Sequence, residues 1–165
     1  MKLIDFKLQL ISSLKKEDCS NFTLTECLRY AILNQKVDIA DKMAKSFKVN
    51  DKRYWRIKVF ALAEAELWDA LAIFSEKKSP IGYSPFVEAA VTYHNRNDAL
   101  LFLKKMSDTE ERLRCAMKWH LYEGAVECAL RLKDMDSLYQ ILNQCRVESV
   151  KTEARNAIAL IEGNK

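Results

Sequence analysis

The sequence predicts an all-α fold, an irregular α-solenoid of stacked antiparallel helix pairs. Three observations predict it. Apolar residues recur at helical spacing along nearly the whole chain. Only 3 glycines and 2 prolines interrupt 165 residues, too few for a fold of short strands and tight hairpins. A small residue also returns at a near-constant interval. Ala40, Ala70, Ala99 and Ala125 stand 30, 29 and 26 residues apart, each one turn before another apolar residue (Ala44, Phe74, Leu103, Ala129). A small side chain lets neighbouring helices approach closely. A lone helix pair cannot bury its face, whereas several stacked pairs form one core. The interval is shorter than the roughly 34 residues of a tetratricopeptide unit, whose consensus is missing. An ordinary helix bundle with coincidental alanines is the alternative. The length suits a single domain over residues 1–165.

The elements follow in order. Residues 3–16 place Ile4, Leu8, Ile11 and Leu14 on one stripe. The next helix carries Leu24, Cys27, Leu28, Ala31 and Ile32, and opens on a capping box of Thr23 with Glu26. Residues 37–47 line up Val37, Ala40, Met43, Ala44 and Phe47. The opposite face pairs Asp38 with Lys42 and Asp41 with Lys45 in the favourable acid-first order. Residues 51–65 are apolar on more than one face (Tyr54, Trp55, Ile57, Val59, Phe60, Leu62), which predicts an inner helix covered on several sides. A short helix follows from Trp68 to Ser75. The punctuation SPIGYSP at 79–85 ends with Ser84 as N-cap and Pro85 as first helical residue, opening a helix to about His94. Further helices fall at about 97–106, 109–120, 123–133, 135–145 and 147–162, the second of these behind another capping box, Asp108 with Glu111.

Composition excludes several function classes. No apolar run approaches the roughly 18 residues of a membrane span, and the charged N-terminus reads as an amphipathic helix rather than a signal peptide. That helix has an apolar face with basic flanks, so it suits either an end repeat covered by a neighbour or partner, or a lipid surface. The five cysteines (Cys19, Cys27, Cys115, Cys128, Cys145) form no C-x-x-C pair and fit small buried thiols in a reducing, cytoplasmic compartment. The two histidines, His94 and His120, lie near helix ends without ligand-spaced partners. Glycine-rich phosphate loops, nucleophile elbows and zinc spacings are absent, so no catalytic residue, metal or cofactor is assigned and no small-molecule substrate is expected.

Charge supplies the positive signal. The net +4 is unevenly divided: residues 1–60 hold 13 Lys+Arg against 7 Asp+Glu, and the remainder 14 against 16. An acidic partner therefore suits the N-terminal third. Within it, the run KRYWRIK at 52–58 interleaves bases with aromatics. Helical spacing turns Tyr54 and Trp55 to the core and Lys52, Arg53 and Arg56 outward. Single-stranded nucleic acid is one reading of such a run. An acidic protein surface, gripped by bidentate arginine, is the preferred one.

Several strings carry a family resemblance: DKRYW at 51–55, WDALAIFS at 68–75, KKSPIGYSPFVE at 77–88, HNRNDA at 94–99 and the Gly124-Ala125 helix start. Over roughly residues 20–145 they resemble the C-terminal region of the vacuolar protein sorting-associated protein 16 family, with the spermatogenesis-defective-39-like family as a paralogous rival. The resemblance implies a non-enzymatic subunit of the HOPS and CORVET tethering complexes, which act peripherally on late endosome, lysosome or vacuole membranes in SNARE-driven fusion. It implies a C-terminal α-solenoid that holds the Sec/Munc-family subunit, vacuolar protein sorting-associated protein 33, and contacts membranes indirectly. A full-length member also carries an N-terminal β-propeller, so the chain reads as a C-terminal fragment. Partner binding would fall to the helices of about 1–65, with those of about 66–165 as framework. The Arg of the DKR motif, Arg53 here, is the partner contact that the resemblance implies, with Lys52 and Arg56 beside it.

Overall fold

A computed structural model describes residues 2–14 and 21–163, without the side chains of Ser13 and Leu14. Cys19, the Leu14 side chain and the last residues of the first expected helix lie outside that description. Among the described residues there are eleven helices and no strand, as the all-α expectation required. The chain divides into two compact units, residues 1–89 and 90–165.

The first unit contains α1 (Leu3–Leu14), α2 (Leu24–Leu33), α3 (Val37–Ser46), α4 (Asp51–Glu64), α5 (Trp68–Ser75) and the start of α6 (Ser84–Thr92). Here α2 packs on α3, α4 on α5, and α2 directly on α4, so the leading helices of successive pairs stack. The second unit holds α7 (Arg96–Lys104), α8 (Thr109–Lys118), α9 (Tyr122–Leu132), α10 (Met135–Gln144) and α11 (Glu148–Gly163). There α8 packs on α9 and α10 on α11, while α9 touches both α7 and α11. Contact between every second helix is what a solenoid-like stack of helix pairs requires.

One backbone device makes four of the pairs. Gln35, Glu66, His94 and His120 all sit at left-handed φ between 54° and 62°, each at the reversal between two helices. The following amide returns to the carbonyl five residues back: Lys36 to Ala31, Leu67 to Leu62, Asn95 to Ala90 and Leu121 to Ala116, at 2.8–2.9 Å. This is the Schellman closure, which satisfies the last helical carbonyls and reverses the chain in a few residues. Lys48 and Lys133 repeat it between pairs. The two histidines are thus exposed left-handed turn residues.

These turns set the true repeat register. Counting five residues on from each reversal gives Ala40, Leu71, Ala99 and Ala125, all 0 % exposed. Ala70 does not belong to the series. It is exposed, and Leu71 takes the buried place, because the turn at Glu66 falls one residue later than equal alanine spacing requires.

Four further expectations need correction. In α1 the buried stripe is Phe6 and Leu10, whereas Ile4 and Leu8 are 64 % and 59 % exposed. The helix carries two apolar edges, and Phe6 is chosen because its ring packs on Phe47, centroids 5.9 Å apart. In α3 Val37 and Phe47 are only partly covered, and Ile39 joins Ala40, Met43 and Ala44 in the core. Asp41 is engaged by Lys58 at 2.8 Å and by the Tyr54 hydroxyl rather than by Lys45. A surface i,i+4 pair is worth only about 0.3–0.5 kcal/mol, less than a hydrogen bond to a sheltered ammonium. Finally, α6 starts at Ser84 itself: the Tyr83 carbonyl accepts the first amides, so Ser84 and Pro85 each lie one position further inside than expected. The Thr23 capping box closes in both directions. Asp108 accepts the amides of Glu110 and Glu111 as an N-cap.

Four of the cysteines, Cys27, Cys115, Cys128 and Cys145, are free and buried. Gly124, in the first turn of α9, permits close contact with α7. A Cβ there would meet Leu103 Cδ2 at 2.4 Å.

Candidate protein-interaction site

The expected binding residues sit on the first two turns of α4. Asn50 caps that helix, its side-chain Oδ1 accepting the amides of Lys52 and Arg53. Lys52, Arg53 and Arg56 all face solvent, as helical spacing required. They are not equivalent. Arg53 donates one guanidinium N–H to Thr25 Oγ1 at 2.6 Å, which ties it to the first turn of α2 and fixes its direction. Arg56 lies over the Phe60 ring, 5.2 Å from its centroid, and meets Glu88 at 3.4 Å. Lys52 makes no side-chain bond among the described residues and is held only through its backbone.

The structure adds residues that sequence reasoning missed. Ile57 and Phe60 are half-buried and share a shallow groove with Arg53, Arg56 and Glu88. One turn beyond, Arg29 of α2 donates to both carboxylate oxygens of Glu64, its Nε lying 2.9 Å from Oε2. Positions 53, 57, 60 and 64 follow one helical stripe. The signal was in the sequence: Ile57 and Phe60 belong to this stripe, though apolarity on several faces assigned them to the core.

The arrangement is a flat surface with fixed guanidinium groups around an apolar strip. Arginine and aromatic groups at the centre of such a surface dominate protein association. Among the described residues, no group of three or more His, Cys, Asp and Glu converges as a metal site requires. His120 Nδ1 lies 2.7 Å from the Tyr122 hydroxyl, which donates to Gln144.

The family description "Vps16, C-terminal region" matches residues 1–161. The chain belongs to this family. The match reaches past the 20–145 span of the resembling strings and takes in α1 and most of α11. Relatives of the Vps16 C-terminal region include the vacuolar protein sorting-associated protein 16 homolog of Dictyostelium discoideum, 30% identical over 163 residues, covering 94% of this chain and 20% of the relative. Protein VACUOLELESS1 of Arabidopsis thaliana is 32% identical over 149 residues, covering 90% of this chain and 17% of its own length. The Drosophila melanogaster vacuolar protein sorting-associated protein 16 homolog is 29% identical over 162 residues, 95% of this chain and 19% of the relative. The chain therefore spans about a fifth of the length of these curated relatives. Among the described residues, no helix of this Vps16 C-terminal region is long and apolar enough to cross a membrane.

Proposed function

We propose that the chain is a non-enzymatic scaffold acting in vacuolar protein sorting, within a HOPS- or CORVET-like tethering complex on endosomal, lysosomal or vacuolar membranes. In this reading it holds a Sec/Munc-family subunit, vacuolar protein sorting-associated protein 33, for SNARE-mediated fusion. Membership of the Vps16 C-terminal region family carries the proposal. The helices up to about residue 65 grip the partner and the later ones form a framework. Arg53 is the central contact, flanked by Lys52 and Arg56, with Ile57 and Phe60 as its apolar neighbours.

Arg53 supports this reading because its guanidinium is already oriented by Thr25. A pre-set side chain loses less freedom on binding. Arg53→Glu places a repelling charge where an acidic partner would dock. It should weaken association at least roughly 30-fold, the scale of a 2 kcal/mol hot spot. Co-purification with vacuolar protein sorting-associated protein 33 is the measurement, with circular dichroism to verify unchanged helix content. Undiminished co-purification would overturn the assignment. Titration with single-stranded RNA at two salt concentrations tests the nucleic-acid alternative, since phosphate binding must weaken steeply as salt rises.

A further inference from the structure

The opposite side of α4 carries a second basic surface, independent of Arg53. Tyr54, Trp55 and Lys58 point away from the 53–57–60 stripe and face a cleft bounded by α3 and α5. Its floor is aromatic. Trp55 stacks on Phe74 with centroids 4.0 Å apart and an interplanar angle of 29°. Phe86 closes the cluster from below, 6.2 Å from Phe74 and 6.4 Å from Trp55. Trp55 remains half-buried, so part of its indole lines the opening.

The rim is made of three exposed lysines, Lys45, Lys48 and Lys77. Among the described residues none has a carboxylate partner. Lys77 lies over the Phe74 ring, 5.9 Å from its centroid, which holds its ammonium above the aromatic floor. Two acids also line the cleft, and neither cancels the rim. Asp41 is occupied by the buried Lys58 at 2.8 Å and by Tyr54. Asp51 lies in the first turn of α4, against the positive end of that helix. The cleft thus joins a net positive charge to an apolar base in which half-buried Trp55 and Val49 are accessible and buried Phe74 lies behind them.

We propose that this cleft is a docking site for a short acidic peptide segment that carries an apolar side chain, separate from the Arg53 surface. The carboxylates would meet the lysine rim, and the apolar side chain would lie on Trp55 and Val49. Charge complementarity selects the acidic flanks, and the aromatic floor selects a peptide over a polyphosphate, which offers nothing to cover the indole.

The test uses the full chain labelled with nitrogen-15 and the capped peptide Glu-Glu-Asp-Leu-Phe-Asp-Glu-Glu. A control peptide replaces Leu-Phe with Ser-Ser. Titration of the first peptide should shift the Trp55 indole N–H signal saturably, and the control should bind at least roughly 10-fold more weakly, the worth of one buried apolar side chain. Lys48→Glu with Lys77→Glu should abolish the shift, and Arg53→Glu should leave it intact. That last variant separates this site from the one under Proposed function, since either can fail alone. No indole shift up to about 1 mM peptide, or equal binding of both peptides, overturns the proposal. A stronger lysine-dependent response to anionic phospholipid vesicles or to single-stranded RNA overturns it in favour of those partners.

Discussion

At position 58 a lysine lies 8 % exposed on a helix whose other basic side chains all face solvent. Its ammonium reaches Asp41 at 2.8 Å and lies over the rings of Phe74 and Tyr54, 4.8 and 5.7 Å from their centroids. Tyr54 donates its hydroxyl to the same carboxylate oxygen. Burial drives the Tyr54 phenol far above its ordinary value of 10.0, and the hydrogen bond to Asp41 and that carboxylate's charge act in the same direction. The folded state therefore keeps this proton where the unfolded chain releases it. The stability involved is fully present below pH 10 and is lost as pH rises above it. Urea denaturation between pH 7 and 11 should show a falling midpoint above pH 10, and a shallower fall in Tyr54→Phe. At neutral pH the same variant should cost about 1 kcal/mol, a typical net hydrogen bond. Parallel alkaline slopes for the two proteins would refute the assignment. The outward direction of Lys52, Arg53 and Arg56 was legible, because spacing alone sets it. The inward direction of Lys58 was not, since nothing local announces that an acid from α3 will meet it.

Turns decide the elements, and here the sequence is least informative. A left-handed C-terminal residue is normally announced by glycine. In this chain Gln35, Lys48, Glu66, His94, His120 and Lys133 take that conformation instead, whereas Gly82, at φ 70°, lies in the loop before α6. Helix existence was legible from periodicity, and the capping box at Thr23 from its spacing. The repeat register slipped by one at Ala70 because the reversal that defines it has no compositional mark. Gln35 offers a clean test, since its side chain is exposed and its φ is 60°. Gln35→Gly relieves left-handed strain of about 1 kcal/mol and adds a similar backbone entropy in the unfolded chain, so the melting temperature should stay level or rise slightly. Gln35→Val forces a β-branched residue into the same geometry and should cost about 1–3 kcal/mol, a drop of several degrees for a chain of this size. Thermal melts followed by circular dichroism read both. Equal loss in the two variants would mean that the side chain, not the backbone, holds the turn.

On the scale of the whole molecule, the contacts inside each unit are those of an array. Within each unit the packed helices lie one or two places apart along the chain, which is why a repeat interval near 30 residues was readable at all. What the interval does not report is how far a local injury spreads. In stacked repeats, stability is a sum of repeat terms and nearest-neighbour terms, so damage should stay close to its origin. Leu138 is 0 % exposed in α10, which contacts α9 and α11. Leu138→Ala removes buried volume at a cost of about 2–5 kcal/mol. Hydrogen exchange should then accelerate by roughly 100-fold in α9, α10 and α11. The amides of α2 and α4 should keep their protection, and with it the surface around Arg53. Uniform acceleration across all eleven helices would show that the chain unfolds as one cooperative body, and the division between a binding region and a framework would lose its physical basis.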